Sequence, residues 1–143
     1  MPYFIDTNIF IRLLVKDDLK KFKDCLKLLE LVKGRKIDAV TSSLVKSEIE
    51  WVLRSFYKIS KQDIVKHIEY IENLGGLISL NMIWDRRAIV LYKEFPVKFI
   101  DAQIASIPEL RKREWIIVSY DRNFDKLAVN RAEPAEIVKN YKI

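Results

Sequence analysis

Segments with strand character alternate with amphipathic helical segments along the chain, which predicts an α/β fold with a parallel sheet covered by helices on both faces. Three observations carry this expectation. The chain opens on an apolar run, Tyr3-Phe4-Ile5, cut by Asp6-Thr7-Asn8 and followed by a second apolar segment, Ile9 to Val15. That pairing suggests a buried strand turning sharply into a helix. A second run, Trp115 to Ser119, reads as another buried strand, with Asp121 just beyond it. Between them apolar residues recur at helical spacing, for example Ile64, Ile68 and Ile71. In open α/β sheets ligands bind beyond the carboxyl ends of the strands, so Asp6 falls on the floor of a prospective site. The competing explanation is that Asp6 or Thr7 only caps the following helix.

The remaining elements follow in order. Leu19, Phe22, Leu26, Leu29 and Val32 repeat at helical spacing among lysines, giving an amphipathic helix that ends at Gly34. Ile37 to Thr41 is a short strand candidate. Ser42 or Ser43 then caps a helix running to about Tyr57. Ser60 and Asp63 resemble a capping box for the next helix, which Gly75-Gly76 follows. Leu77 to Leu80 is a third strand, and Met82 to Phe95 a helix that stops before Pro96. Asp101 opens another helical stretch, distorted near Pro108. Val129 to Ala132 is a final strand, and Pro134 starts a last short helix.

The chain has 143 residues, half of them apolar and 32% charged, which suits one folded domain over residues 1–143 with a core that needs no staples. Lone Cys25 lies at helical spacing from Phe22 and Leu29 and reads as a buried thiol, not a nucleophile. The first segment lacks the basic leader and cleavage site of a signal peptide, and no apolar run reaches membrane-spanning length. A cytoplasmic protein is expected. The net charge of +6, with acids and bases interspersed, is compatible with a polyanionic partner.

Four acids stand where acids are costly: Asp6, Glu48, Asp101 and Asp121. Asp101 interrupts an apolar stretch, with an N-cap role as its alternative. Glu48 is informative because Glu50 shares its helix. Neighbours at three and four residues place Glu48 beside Leu44, Val45, Trp51 and Val52, and Glu50 beside Lys46, Ser47 and Arg54. Glu50 is thus a surface acid, while Glu48 points into the apolar stripe, where it needs an ion pair or a metal. Two carboxylates about 4 Å apart repel by roughly 4 kcal/mol at an effective dielectric near 20, so four together need cations or protons. Oxygen ligands without a His or Cys set favour Mg²⁺ or Mn²⁺ over zinc. The lone histidine, His67, sits on an apolar helix face and reads as structural.

At this point the motifs match a known family. Asp6-Thr7-Asn8 after a strand, Ser47-Glu48-Ile49 followed by Trp51-Val52-Leu53, Phe99-Ile100-Asp101-Ala102, and Val118-Ser119-Tyr120-Asp121-Arg122 resemble, in order, the successive motifs of PIN-domain proteins. The toxin subunits of VapBC toxin–antitoxin systems are the most similar members. The resemblance covers nearly the whole chain. It implies a three-layer α/β/α fold with a five-stranded parallel sheet of order 3-2-1-4-5. It also implies a metal-dependent endoribonuclease in which Asp6, Glu48, Asp101 and Asp121 are the catalytic, metal-holding quartet. Asn8 and Ser119 become supporting polar groups that contact substrate.

Arg12, Lys46, Lys98 and Arg122 lie near the motifs and are candidates for phosphate contacts, or else ordinary solvated side chains. Two positions depart from the family pattern. Lys98 stands where many relatives carry an acidic or polar residue, and Asn123 where another Asp is common. One tightly held ion is therefore expected, with a second arriving with substrate. Asp125 could compensate or be a surface acid. By resemblance the partners are RNA, a second copy in a homodimer, and a small antitoxin, with Trp51, Phe56 and Tyr57 either lining its groove or packing as core. The competing functions are a phosphotransfer protein, of haloacid-dehalogenase or receiver type with Asp6 as nucleophile, and a non-catalytic RNA-binding module of the same fold. An acid two residues after Asp6, usual in such phosphatases, is replaced here by Asn8.

Overall fold

The computed structural model describes residues 1–141. Five short strands form one sheet: β1 (Tyr3–Ile5), β2 (Ala39–Thr41), β3 (Leu77–Ser79), β4 (Ile116–Val118) and β5 (Asn130–Ala132). Their order is β3-β2-β1-β4-β5, and every neighbouring pair is parallel. Tyr3, Phe4 and Ile5 pair with Ile116, Ile117 and Val118, so β1 and β4 end level with each other at the centre of the sheet. Helices flank it: α1 (Thr7–Val15), α2 (Leu19–Lys33), α3 (Ser43–Ser55), α4 (Lys61–Glu72), α5 (Asp85–Glu94), α6 (Phe99–Ala105), α7 (Pro108–Arg111) and α8 (Pro134–Val138). A 3-10 helix, Arg122–Leu127, joins β4 to β5.

The core follows from the central strands. Phe4, Ile5, Ile117 and Val118 are buried, and Val45, Ile49 and Leu53 of α3 and Ile104 of α6 pack into the same cluster. Spacing of four residues puts the three α3 side chains on one stripe. The α3 stripe differs from the expected one, because Trp51 is 58% exposed, whereas Val45 is buried and Leu44 and Val52 are partly covered. The α2 stripe also differs: Leu19 is 70% exposed and Leu26 is exposed, whereas Cys25, Leu28, Leu29, Leu31 and Val32 are buried. Two overlapping helical stripes exist in that leucine-rich sequence, and packing against the sheet selects the second.

Boundaries shift by small amounts. Met82 to Trp84 precede α5 instead of joining it, and Trp84 lends its N–H to the Ser106 hydroxyl. The distortion expected at Pro108 is a full break between α6 and α7, with Pro108 at a helix start. Asp101 does not open its helix; Lys98 is the N-cap and Asp101 lies in the first turn. Ser60 caps α4 by accepting from the Asp63 N–H at 3.2 Å. Cys25 is free and buried.

One turn depends on a missing side chain. Gly76, between α4 and β3, has φ of +86°, and a Cβ there would stand 2.1 Å from the Val32 carbonyl oxygen at the end of α2. A backbone atom of a packed helix cannot yield as a side chain tip would. Gly76→Ala is expected to destabilise the fold by about 2 kcal/mol or more, a drop in Tm of roughly 5 °C. Gly75→Ala, where a Cβ meets nothing within 4 Å, is the matched control. Equal melting of the two variants would contradict the account.

Candidate functional site

Asp6 follows β1 directly and is 4% exposed. It occupies the N-cap position of α1, yet its side chain makes no cap bond to that helix. Instead the Ser119 hydroxyl donates to its Oδ2 at 2.7 Å, and the Asn8 amide donates to the same oxygen at 3.3 Å. Capping therefore does not explain this carboxylate. Ser119 is the residue after β4, so the level ends of the two central strands bring the pair together across the sheet. Asn8 closes the ring by donating to Ser119 Oγ at 2.9 Å and accepting the Tyr120 N–H at 3.1 Å.

The other three acids arrive from separate elements. Asp121 caps the 3-10 helix, accepting the Asn123 N–H at 2.9 Å, while its own N–H donates to Ser119 Oγ. Asp101 is buried in the first turn of α6, and its Oδ2 has no hydrogen-bond partner among the described residues. Glu48, in the second turn of α3, sits at the edge of that helix's buried stripe with a side chain 15% exposed. The ion pair weighed for it is present: Lys98 Nζ lies 3.3 Å from Oε2. That pair is open to solvent on the lysine side and contributes about 1 kcal/mol at most, so it does not repay burying the acid. Glu50, by contrast, pairs with Arg54 on the surface.

All four acids line one cleft of about 200 Å³, together with Thr7, Asn8, Ile11, Arg12, Val52, Tyr57 and Lys98. Of the proposed phosphate contacts, Arg12 and Lys98 are in the cleft. Lys46 is elsewhere, tied to Glu72 and to Ser79 Oγ in a separate depression on the β3 side. Its side chain is neither in the cleft nor freely solvated, being largely covered in its pair with Glu72. Arg122 is exposed and does not line the cleft. Asp125 does not rejoin the quartet, because Arg131 holds it with two hydrogen bonds of 2.9 and 3.2 Å. His67 lies far from the acids, in an apolar groove with Leu13, Phe22 and Tyr70. Asp17, which accepts from both Arg12 and Tyr57, escaped sequence reasoning, since it has no helical periodicity to mark it; Tyr57, read from the sequence as groove lining or core, lines this cleft.

The electrostatics follow from burial. Burial pushes the Asp6 carboxyl up to about 7; the Ser119 and Thr7 hydrogen bonds restrain it, and the charges of Glu48 and Asp101 add to the rise. Burial likewise pushes Asp101 up to about 6, with Lys98 opposing and Asp121 and Glu48 reinforcing. Burial also pushes the Cys25 thiol up to about 11, which makes it a poor nucleophile. As the side chains lie, no group of three or more His, Cys, Asp or Glu among the described residues stands close enough to hold a metal ion. The donor set nonetheless fits a hard cation in kind: it is all oxygen, it is partly buried, and it includes the unpartnered Asp101 Oδ2.

A raised carboxyl pKa means that the folded chain binds protons more tightly than the unfolded chain. The stability from Asp6 and Asp101 is full below about pH 4 and is lost as pH rises through 6 to 7. Without divalent cations, Tm is expected to fall between pH 5 and 8. Asp6→Asn should flatten that fall and melt about 5 °C or more above the parent at pH 8. Parallel Tm–pH curves for the two proteins would refute the assignment.

A family model described as the PIN domain matches residues 3–130. No curated protein matches the sequence. Among solved structures, the chain is similar to one from VapBC2 of Rickettsia felis, solved bound to a DNA fragment from their promoter, with 17% identity, TM-score 0.64, and 93% of this chain and 98% of that one covered. It is also similar to PAE2754 from Pyrobaculum aerophilum, with 13% identity, TM-score 0.67, and 98% and 94% covered. A chain of VapBC-1 from nontypeable Haemophilus influenzae shows 17% identity, TM-score 0.63, and 94% and 99% covered. At these identities the neighbours speak for the fold, and the family follows from the model match across most of the chain: this protein belongs to the PIN-domain family.

Proposed function

We propose that this chain, folded as one PIN-like domain over residues 1–143, is a divalent-metal-dependent endoribonuclease and the toxin of a toxin–antitoxin pair. One observation carries the reading: four carboxylates from four separate segments line a single cleft, with Asp6 buried at its floor. Asp6, Glu48, Asp101 and Asp121 would hold Mg²⁺ or Mn²⁺, closing on it from their present positions. Such an ion, when bound, neutralises the carboxylates and polarises the phosphodiester toward attack by water. Membership of the PIN family and the VapBC neighbours support a nuclease with an antitoxin partner. A homodimer in the cytoplasm completes the proposal, and no helix among the described residues is long and apolar enough to cross a membrane.

The chain's own groups have distinct tasks. Ser119 and Asn8 orient Asp6 through Oδ2. Lys98 neutralises Glu48 and stands ready to meet a phosphate oxygen. Phosphotransfer through Asp6 is disfavoured, because the position two residues on, where such phosphatases carry an acid, holds Asn8, whose amide donates to Asp6 Oδ2.

Mn²⁺ is expected to raise the Tm of the parent by several degrees at saturating concentration and that of Asp6→Asn by much less. The same variant should lose at least 100-fold of its RNA cleavage while remaining folded. Since Asp6→Asn should be more stable without metal, lost activity could not be laid to unfolding. Full cleavage by the purified variant would remove the nuclease assignment.

A further inference from the structure

The end of the cleft away from the sheet has a different chemistry from its floor. Lys16, in a left-handed conformation at φ 60°, ends α1, and Asp18 caps α2 by accepting from the Lys21 N–H. Asp17 is held between these two caps. Its carboxylate bridges two cleft-lining side chains: Arg12 Nη1 donates to Oδ1 at 3.0 Å, and the Tyr57 hydroxyl donates to Oδ2 at 3.1 Å. One acid thus fixes a guanidinium from α1 and a phenol from the segment after α3. A guanidinium carries five N–H donors, and the Asp17 bond uses the Nη1 end. Tyr57 lines the cleft, and Phe56, 74% exposed, meets its ring edge-on at 4.9 Å.

Six residues of helix separate Asp6 from Arg12, a rise of about 9 Å. That distance spans a little more than one nucleotide of extended strand. Backbone phosphates call for a cation with spare donors, and unpaired bases call for an aromatic face. Both stand here, in the cleft that holds the acids and one to two turns of α1 along from Asp6, held in place before any ligand arrives.

We infer that Arg12 and Tyr57, bridged by Asp17, form a subsite for the nucleotide next to the scissile phosphate, with Arg12 on its phosphate and Tyr57 against its base. The ligand class is single-stranded RNA, since a base inside a duplex offers no free face. This inference rests on the nuclease reading above. Asp17 is a positioning residue: it touches Arg12 and Tyr57, not the strand.

The test uses the full chain and short oligoribonucleotides carrying 5-iodouridine, irradiated in EDTA so that binding is seen without cleavage. Cross-links should map to Tyr57 by mass spectrometry. In steady-state cleavage with Mn²⁺, Tyr57→Ala should raise KM about tenfold with little change in kcat, the loss expected for one stacked base. Tyr57→Phe keeps the ring but loses the Asp17 bond, and should fall between the parent and Tyr57→Ala in KM while still cross-linking. Asp17→Ala should raise KM severalfold with Arg12 and Tyr57 both intact. Cleavage by the parent with an unchanged KM in Tyr57→Ala, or cross-links only at other residues, would overturn the subsite and leave the nuclease reading standing. In that case the aromatic end is open to a protein partner. A parent chain that neither binds nor cleaves RNA would overturn both.

Discussion

The buried Asp6 carboxylate is the constraint around which the rest of the structure is arranged. A carboxylate at the end of the central strand cannot be solvated, so it must share a proton, gain donors or meet a cation. The chain supplies side-chain donors to its Oδ2, from Ser119 and Asn8, beside the Thr7 backbone. Those two residues are not free to serve Asp6 alone. Ser119 Oγ also accepts from Asn8 and from the Asp121 N–H, and Asn8 Oδ1 accepts from Tyr120 N–H. Orienting Asp6 therefore fixes the path of the chain after β4, and with it the position of Asp121. Two of the four acids are set by one hydrogen-bond ring.

The arrangement is unfavourable to the fold by itself. Asp6 and Asp101 are both pushed toward neutrality by burial and by their acidic neighbours, and Asp101 Oδ2 and Thr7 Oγ1 are buried at the cleft without hydrogen-bond partners among the described residues. Such groups are removed by selection unless something uses them, because each unsatisfied polar atom costs on the order of 1–3 kcal/mol. Perturbed carboxyls converging in a cleft are the pattern expected of a working site. Lys98 offsets part of the repulsion, but its exposed ammonium is too well solvated to balance four acids.

Much of this was legible in the sequence, and the rest failed for identifiable reasons. The α/β alternation and the acids closing β1 and following β4 could be read from apolar runs, because a strand buried on both faces has few other ways to appear. The strand order 3-2-1-4-5 came from resemblance, since nothing local to a three-residue strand names its neighbour. Glu48 was singled out by comparison with Glu50 and does line the cleft, although Trp51, taken as part of its apolar surroundings, is exposed. The buried stripe of α2 was misplaced because leucines occupy both of its possible faces. Lys46 looked available for phosphate only because its partners, Glu72 and Ser79, are distant in the chain. Asp17 and Tyr57 were missed as a pair for the same reason: their contact joins two loops, and loops carry no period.

The shortness of the strands explains why side chains share with the ladder the task of fixing the site. The backbone pairing runs one residue past the three-residue strands, with the Asp6 N–H donating to the Val118 carbonyl and the Ser119 N–H to the Ala132 carbonyl, both at 3.1 Å. Side chains meet further backbone groups there: Thr41 Oγ1 donates to the Ile5 carbonyl at 3.1 Å, Asn8 accepts the Tyr120 N–H, and Arg131 Nη1 donates to the Ser119 carbonyl at 3.0 Å. Arg131 reaches that carbonyl from β5 while its other donors hold Asp125, so the same residue anchors the backbone of Ser119 and the 3-10 helix that follows Asp121. An acid that the sequence left open as a fifth ligand is thereby spent on the scaffold. What holds the cleft's acids in register is thus the last backbone bonds of the ladder together with side-chain bonds to strand-end backbone, and the polar residues clustered after the central strands serve the fold and the site at once.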